Sequence, residues 1–284
     1  MSESIKTLSK EDVIQNKKDA IRSLNKLLET FINDSENSHL KKANLISYWI
    51  KDYVKMIGFE EKFEPKKNIA YKRGNIVKIS FGFNIGSEYG GLHYGIVLDK
   101  HNSHSSPVVT VIPLTSAKAN HSIHPNNVDL GNEVYRLLKL KHDTISKSVK
   151  DEREEIRKEL SLFQAIVDLG TQSVDSLQLY ERNSREFDEQ FGNAKKYLEE
   201  AKKLEKKWKE KDRHMKEQQA ILDKIGNEIT GMKEGSIALI SQITTVSKIR
   251  IFDPKTAKGV LAGISISEEN MEKINQKIKE LYIF

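Results

Sequence analysis

The part of the sequence best suited to chemistry is residues 73–118, where polar side chains occur at the ends of short β-rich runs. These side chains belong to Ser87, Glu88, His93, Thr115, Ser116 and Lys118. An imidazole titrates near neutral pH and can move a proton, and a lysine ammonium carries a positive charge. Because a rigid sheet often presents functional groups from its strand ends and loops, we predict a site in this stretch.

Three runs rich in Val, Ile, Tyr and Phe must position these side chains. They are bounded by Gly, Asn, Ser or Pro, as β-strands are, and lie at residues 76–81, 94–98 and 108–114. A glycine-rich loop with Gly86, Gly90 and Gly91 joins the first two. Further strands are predicted at residues 128–130, 237–243 and 248–252, followed by a helix that Ser267 caps.

Several motifs, in order along the chain, resemble the PemK/MazF family of bacterial toxin ribonucleases. They are R-G-N-I-V at 73–77, G-S-E-Y-G-G at 86–91, G-I-V-L at 95–98 and V-I-P-L-T-S at 111–116. The run S-I-A-L-I-S-Q-I-T-T-V at 236–246 resembles the family's later strand pair, and residues 266–284 resemble its closing helix. The resemblance implies an α+β fold built on a small, SH3-like β-barrel of the PemK type.

Helical periodicity before and within the barrel segments predicts two additions to this fold. Residues 1–67 are predicted to form a helical hairpin, the barrel to comprise 68–131 and 232–284, and 132–231 to be an inserted antiparallel coiled-coil hairpin. The insertion carries a heptad seam of Phe187, Ala194, Ala201, Trp208, Met215 and Leu222, with Phe191 and Leu198 at the second seam position. Its Leu-Gly-Thr sequence at 169–171 could break or bend the first helix. The insertion could be a solvated scaffold or an arm that binds a partner.

Composition narrows the function classes further. The 284-residue chain has 47 Lys and Arg against 41 Asp and Glu, for a net charge of +6, and contains no cysteine. Disulfides and thiolate metal sites are therefore excluded. The absence of an apolar leader or a long apolar run predicts a cytoplasmic protein without a membrane segment. The positive charge lies mainly on the strand-rich parts and would attract a polyanion, although a lysine-rich cytosolic protein can carry it without binding one.

The resemblance also implies roles for three catalytic residues. His93 stands where many family members have an arginine, and it would perform acid–base work. Thr115 matches a strand-end hydroxyl that would contact the scissile phosphate. The Thr-Ser-Ala-Lys run is similar to a stretch of the related ToxN/AbiQ toxins whose lysine belongs to the site, so Lys118 would supply positive charge.

An RNA-binding surface follows from the same resemblance. It would consist of Ser87, Glu88, Tyr89, Ser116 and Gln242. Tyr89 could stack on a base. Gln242 aligns with the family's Gln-Ile-Arg-Thr run, in which the arginine is replaced here by Thr244. Two H-x-x-H pairs at 101–104 and 121–124 lack acidic or thiolate partners, so no metal site is predicted.

The predicted function is therefore a toxin that cleaves single-stranded mRNA without a metal or another cofactor. The resemblance implies products with a 2′,3′-cyclic phosphate and a 5′-hydroxyl, a cognate antitoxin of protein or RNA, and a homodimer. Because two family arginines are replaced, a non-catalytic module that binds nucleic acid or protein is the alternative. A structural adaptor that acts through its coiled coil is a third interpretation.

Overall fold

The computed structural model of the protein describes residues 8–117 and 122–284. Within these ranges, five α-helices accompany an antiparallel sheet of seven strands. Two N-terminal helices precede the sheet, and two much longer helices interrupt it and pack against each other. The predicted α+β fold of the PemK type with a helical insertion is therefore confirmed.

The sheet is assembled from two separated pieces of chain. Its strands are β1 (Ile76–Ser80), β2 (Leu92–Val97), β3 (Val108–Ser116), β4 (Asn127–Asp129), β5 (Ser236–Leu239), β6 (Thr244–Ser247) and β7 (Ile251–Asp253). Their order is β4-β5-β3-β2-β1-β7, and β6 pairs with the first half of β3. Because β5, β6 and β7 all pair with strands of the first piece, the sequence around β2 and β3 cannot form the sheet alone.

The segment after the insertion differs from the predicted pattern. A single strand at 237–243 was wrong, because a 3-10 turn at Ile240–Gln242 separates β5 from β6. Ala238 pairs with Leu114, and Thr244 pairs with Val111. The chain from Ala238 to Thr244 is therefore longer than the stretch of β3 from Val111 to Leu114 that it runs beside. The turn accommodates the excess and buries Ile240. The strand predicted at 248–252 is likewise displaced to β7, since Lys248–Arg250 form another turn.

The N-terminal hairpin consists of α1 (Lys10–Ile32) and α2 (Leu40–Glu60). The hydroxyl of Ser9 accepts a hydrogen bond from the Asp12 amide and caps α1. α1 buries no residue, whereas α2 buries two. The indole of Trp49 on α2 lies against Gly82 and under the guanidinium of Arg250, 5.3 Å from the ring centroid. The hairpin is thus anchored next to the glycine-rich loop.

This anchor predicts an effect of Gly82→Ala. Gly82 has a φ of +96°, and a Cβ atom there would lie 2.9 Å from the Trp49 ring. We expect the substitution to lower the free energy of unfolding by about 1–3 kcal/mol and to loosen the hairpin. Trp49 fluorescence in a Trp208→Phe background reports this directly, because the chain has two tryptophans.

Gly86→Ala is the matched control for that substitution. Gly86 also has a positive φ, +61°, but a Cβ atom there would meet nothing within 4 Å. It therefore introduces backbone strain without the collision. If both variants shift the Trp49 signal equally, the contact with Gly82 does not anchor the hairpin.

The insertion, here called the arm, consists of α3 (Glu133–Ser176) and α4 (Arg185–Gly231). At 1.5 Å per residue, each helix is about 66–70 Å long. The Leu-Gly-Thr sequence at 169–171, which could break or bend the chain, does not break the helix, because α3 continues to Ser176. A Cβ atom at Gly170 would lie 3.3 Å from the Cβ of Tyr197, so the glycine lets the two helices approach closely. Phe191 and Leu198, predicted in the seam, are instead 58% and 55% exposed.

The two faces of the sheet carry separate hydrophobic clusters. One cluster combines strand residues with the base of the arm, including Leu138 and Ile225, and with Ile274 of α5 (Glu268–Tyr282). Ser267 caps α5 as predicted. The other cluster lies on the opposite face, around Val77, and includes Tyr89 at its edge. The base of the arm is therefore part of the sheet's own core. No helix in the described ranges is both long and apolar enough to cross a bilayer.

Candidate active site

The glycine-rich loop connects β1 to β2 and folds back on itself. The Phe81 amide donates to the Gly91 carbonyl at 2.8 Å, and the Gly91 amide donates to the Gly82 carbonyl at 2.7 Å. A Cβ atom at Gly90 would lie 2.7 Å from the Gly82 oxygen, which excludes any other residue without a shift of the backbone. The close backbone contact explains why paired glycines precede β2 and fixes where β2 begins.

His93 is the second residue of β2 and pairs with Ile79 of β1. Its imidazole folds back over the loop, since a Cβ atom at Gly91 would lie 3.1 Å from its Nε2. The ring contacts Tyr89, with 4.7 Å between centroids. Burial lowers the pKa of His93, while a hydrogen bond with the Gly90 backbone opposes part of that shift. The neutral imidazole is therefore favoured near pH 7, as a proton acceptor requires.

Thr115 and Ser116 end β3, two strands along from β1. Both line a cavity of about 450 Å³ together with His93. Tyr89 connects the two sides: its ring contacts His93, and its hydroxyl donates to the carbonyl of Leu114 at 2.6 Å. The structure thus brings His93 and Thr115 to one cavity. Lys118 lies outside the described residues.

Of the predicted RNA-binding residues, Glu88, Tyr89 and Gln242 line a neighbouring cavity of about 570 Å³. The Gln242 side chain holds the loop, accepting from the Tyr89 amide at 3.2 Å and donating to the Ser87 carbonyl at 3.3 Å. The Glu88 carboxylate accepts from the Ile85 amide at 3.3 Å. These contacts give the side chains of Gln242 and Glu88 a role in shaping the loop. The predicted stacking of a base on Tyr89 stays a prediction.

Sequence reasoning missed the charged residues of the first cavity. Lys78 of β1, Tyr94 of β2 and Glu228 of α4 all line it. The Lys78 ammonium donates to Glu228 Oε1 at 2.5 Å, and the Tyr94 hydroxyl donates to the same oxygen. The alternation in β1, where Lys78 lies between buried Val77 and Ile79, was a signal for Lys78. No local pattern indicated Glu228.

Adjacent strand residues put these groups on the two faces of the sheet. His93 and Tyr94 direct their side chains oppositely, so His93 lies on the Tyr89 side and Tyr94 on the arm side. The cavity opens at the strand ends, where both faces are accessible, and Thr115 lies there too. Its lining combines an imidazole, hydroxyls, an ammonium and a carboxylate. These groups can accept and donate protons and can bind an anion.

A second missed cation is Arg250, in the cavity that contains Gln242 and Thr244. Its guanidinium donates to the Phe81 carbonyl at 3.0 Å while stacking on Trp49. It provides positive charge close to Thr244, where the resemblance places an arginine. The nearest sequence signal was its position in a predicted strand that turned out to be a turn.

The histidine-rich loops have structural contacts. The Nε2–H of His104 donates to the Asn68 carbonyl at 2.6 Å, and Nδ1 of His124 accepts from the Asn126 amide at 3.2 Å. His121 lies outside the described residues. In the part of the chain that the structure covers, no three His, Cys, Asp or Glu side chains are grouped as metal ligands.

Comparison with known proteins bears on this site. Residues 72–161 match the family model described as PemK-like, MazF-like toxin of type II toxin–antitoxin system. The match contains β1 to β4, with His93 and Thr115, and ends within α3. No curated protein sequence matches the chain. The match supports a toxin of a type II toxin–antitoxin system, and endoribonuclease activity is the general function of that family. Residues 72–161 are therefore similar to the toxin domain of the PemK/MazF family.

Proposed function

We propose that this protein is the toxin of a toxin–antitoxin system and a metal-independent endoribonuclease that cleaves single-stranded mRNA. The observation that carries the proposal is that His93 and Thr115, both within the matched residues 72–161, line one cavity. The proposed domains are 1–67, the barrel of 68–131 and 232–284, and the arm of 132–231. We further propose a cytoplasmic location, a homodimer and a cognate antitoxin, either protein or RNA.

The proposed reaction is an internal transesterification. The ribose 2′-oxygen attacks the adjacent phosphorus, a bond forms between them, and the bond from phosphorus to the 5′-oxygen breaks. The 2′-hydroxyl proton goes to a base and the 5′-oxygen receives a proton from an acid, so the products are a 2′,3′-cyclic phosphate and a 5′-hydroxyl. Neutral His93 acts as the base, which its lowered pKa favours.

Binding of the phosphate is assigned to the neighbouring strand end. The Thr115 hydroxyl donates to a phosphoryl oxygen as negative charge develops there. Ser116 lies beside it at the cavity rim, and Lys118 adds positive charge. Glu88, Tyr89 and Gln242 form the wall along which the RNA strand runs, together with Ser87, whose carbonyl accepts from Gln242. Tyr89 is available at its partly exposed edge.

Thr115→Val tests this assignment. The change removes a hydroxyl with little change of shape, and we expect it to lower kcat/KM for cleavage by about 10²-fold. Purified protein is incubated with labelled single-stranded RNA in EDTA, and the product ends are identified by mass. Thr110→Val is the matched control, because Thr110 lies on the same strand and bonds Thr245 at 3.0 Å outside the cavity.

The same assay separates cleavage from binding alone. A chain that binds the RNA but releases no cyclic phosphate would be the non-catalytic module considered above. If Thr115→Val and Thr110→Val reduce the cleavage rate equally, Thr115 is not part of the site. The wild-type protein would still be a ribonuclease in that case.

A further inference from the structure

The arm contributes an acidic side chain to the candidate active site. Glu228 lies near the C-terminal end of α4, 150 residues along the chain from Lys78, and its carboxylate meets the Lys78 ammonium at 2.5 Å. The side chains of both residues are 21% exposed. The Tyr94 hydroxyl donates to the same carboxylate oxygen, and the Lys78 ammonium lies 5.5 Å from the centroid of the Tyr94 ring. One carboxylate oxygen thus serves two donors.

These three groups border open space. They line the 450 Å³ cavity that also contains His93, Thr115 and Ser116, and Lys233 follows α4 at the same cavity. A carboxylate oxygen that accepts from an ammonium and a hydroxyl has the same partners that a phosphoryl oxygen would need. Burial and the adjacent Glu228 raise the pKa of Tyr94, so its hydroxyl remains protonated and able to donate.

We propose that Lys78 is a phosphate-binding residue of this site and that Glu228, supplied by the arm, is the counter-ion that an RNA phosphate displaces. The proposal rests on the proposed function, since it names the cation that binds the RNA backbone. Lys78 takes part of the role left by the family arginine at the position of His93. Glu228 keeps Lys78 paired and in place while no RNA is bound, and Tyr94 holds Glu228.

The free energy needed to displace Glu228 depends on its charge and on that of Lys78. An anionic phosphate and Glu228 compete for one ammonium, so the phosphate must displace the carboxylate from Lys78 before it can bind there. Removing the negative charge of Glu228 while keeping its shape should therefore strengthen RNA binding. Removing the charge of Lys78 should weaken binding and reduce the number of counterions released.

The test is a double-mutant cycle on binding of a fluorescent 2′-O-methylated single-stranded RNA, which cannot be cleaved. We expect Glu228→Gln to lower Kd about fivefold and Lys78→Gln to raise it about fivefold. Lys78→Gln should also reduce the slope of log K against log salt by about 0.7. In the Lys78→Gln background, the gain from Glu228→Gln should fall below about twofold.

Glu217→Gln is the matched control. Glu217 also lies on α4 and pairs with Lys258 at 2.6 Å, so it ties the arm to the remainder of the protein outside the cavity. We expect it to change Kd by less than about twofold. If Glu217→Gln tightens binding as much as Glu228→Gln does, the effect is one of general charge and the proposal fails.

Two other results would overturn the proposal. Glu228→Gln could leave Kd unchanged and reduce cleavage about 10²-fold, which would make Glu228 a proton acceptor instead of a counter-ion. Equal tightening with and without Lys78 would show that the pair is not the phosphate site. Cleavage of unmodified RNA is measured in parallel. If the effects of the Lys78 and Glu228 substitutions on Kd are coupled but no RNA is cleaved, only the proposed function is contradicted. If RNA is cleaved but the two effects are independent, only this inference is contradicted.

Discussion

Replacing His93 with alanine is expected to lower kcat/KM for RNA cleavage by about 10²–10⁴-fold, the usual contribution of a positioned acid–base group. His93 lines the cavity shared with Thr115, and its ring is held against Tyr89 and the glycine-rich loop. Apart from the hydrogen bond between His93 and the Gly90 backbone, the hydrogen bonds of the loop are made by the backbone and by other side chains, so the fold should survive. Cleavage rate and thermal unfolding of the same preparation together test the assignment.

The pH dependence makes this prediction specific to an acid–base role. Because burial lowers the pKa of His93 from its ordinary value of 6.5, the acid limb of kcat/KM should fall below pH 6.5. The folded protein disfavours the protonated ring of His93. The ring is therefore protonated, and loses its ability to accept a proton, only at a lower pH than an ordinary histidine. His101→Ala, at an exposed loop position, is the control. A profile that keeps the same limb after His93→Ala would assign it to another group.

The positions of His93 and Thr115 could be predicted from sequence because they depend on local patterns. Turn residues and the alternation of apolar and polar side chains indicate both strands: one that follows two glycines and one that ends in hydroxyl side chains. The pairing of β2 with β3, residues 95–97 against 111–113, then brings the two ends together. Short-range information was sufficient here because the two strands are consecutive and antiparallel.

Glu228 could not be predicted because its location depends on how the arm returns to the sheet. The residues of α4 that face the sheet are set by the packing of Ile225 in the core, and Glu228 lies almost one turn further on. The seven-residue stripe that begins at Phe187 was predictable, because its members are buried or half-buried along α4. The second seam position was not, because it lies three residues after the first, at Tyr197, Leu204 and Ile225. Phe191 and Leu198, four residues after the first, are left exposed.

The base of the arm is expected to be essential for the stability of the sheet. Leu138 of α3 and Ile225 of α4 are fully buried in the same cluster as Ile96 and Ile112 of the central strands. Truncating either side chain to alanine removes buried methyl groups and leaves a cavity. We expect each change to lower the free energy of unfolding by about 2–5 kcal/mol, measured by urea denaturation. Leu140→Ala, 62% exposed on the same helix, should change it by less than about 0.5 kcal/mol.

Shortening the arm distinguishes its base from its outer part. Glu152 of α3 and His214 of α4 meet at 3.1 Å across the hairpin, so a short glycine-containing turn can replace residues 153–213 between them. Leu138, Ile225 and Glu228 all remain in the shortened chain, and we expect it to fold and to cleave RNA. A cut at residues 140–228 instead removes Ile225 from the core together with the partner of Lys78. Loss of cleavage in the folded, shortened chain would show that the outer arm takes part in function, whereas stable folding after the longer deletion would contradict the role assigned to the base.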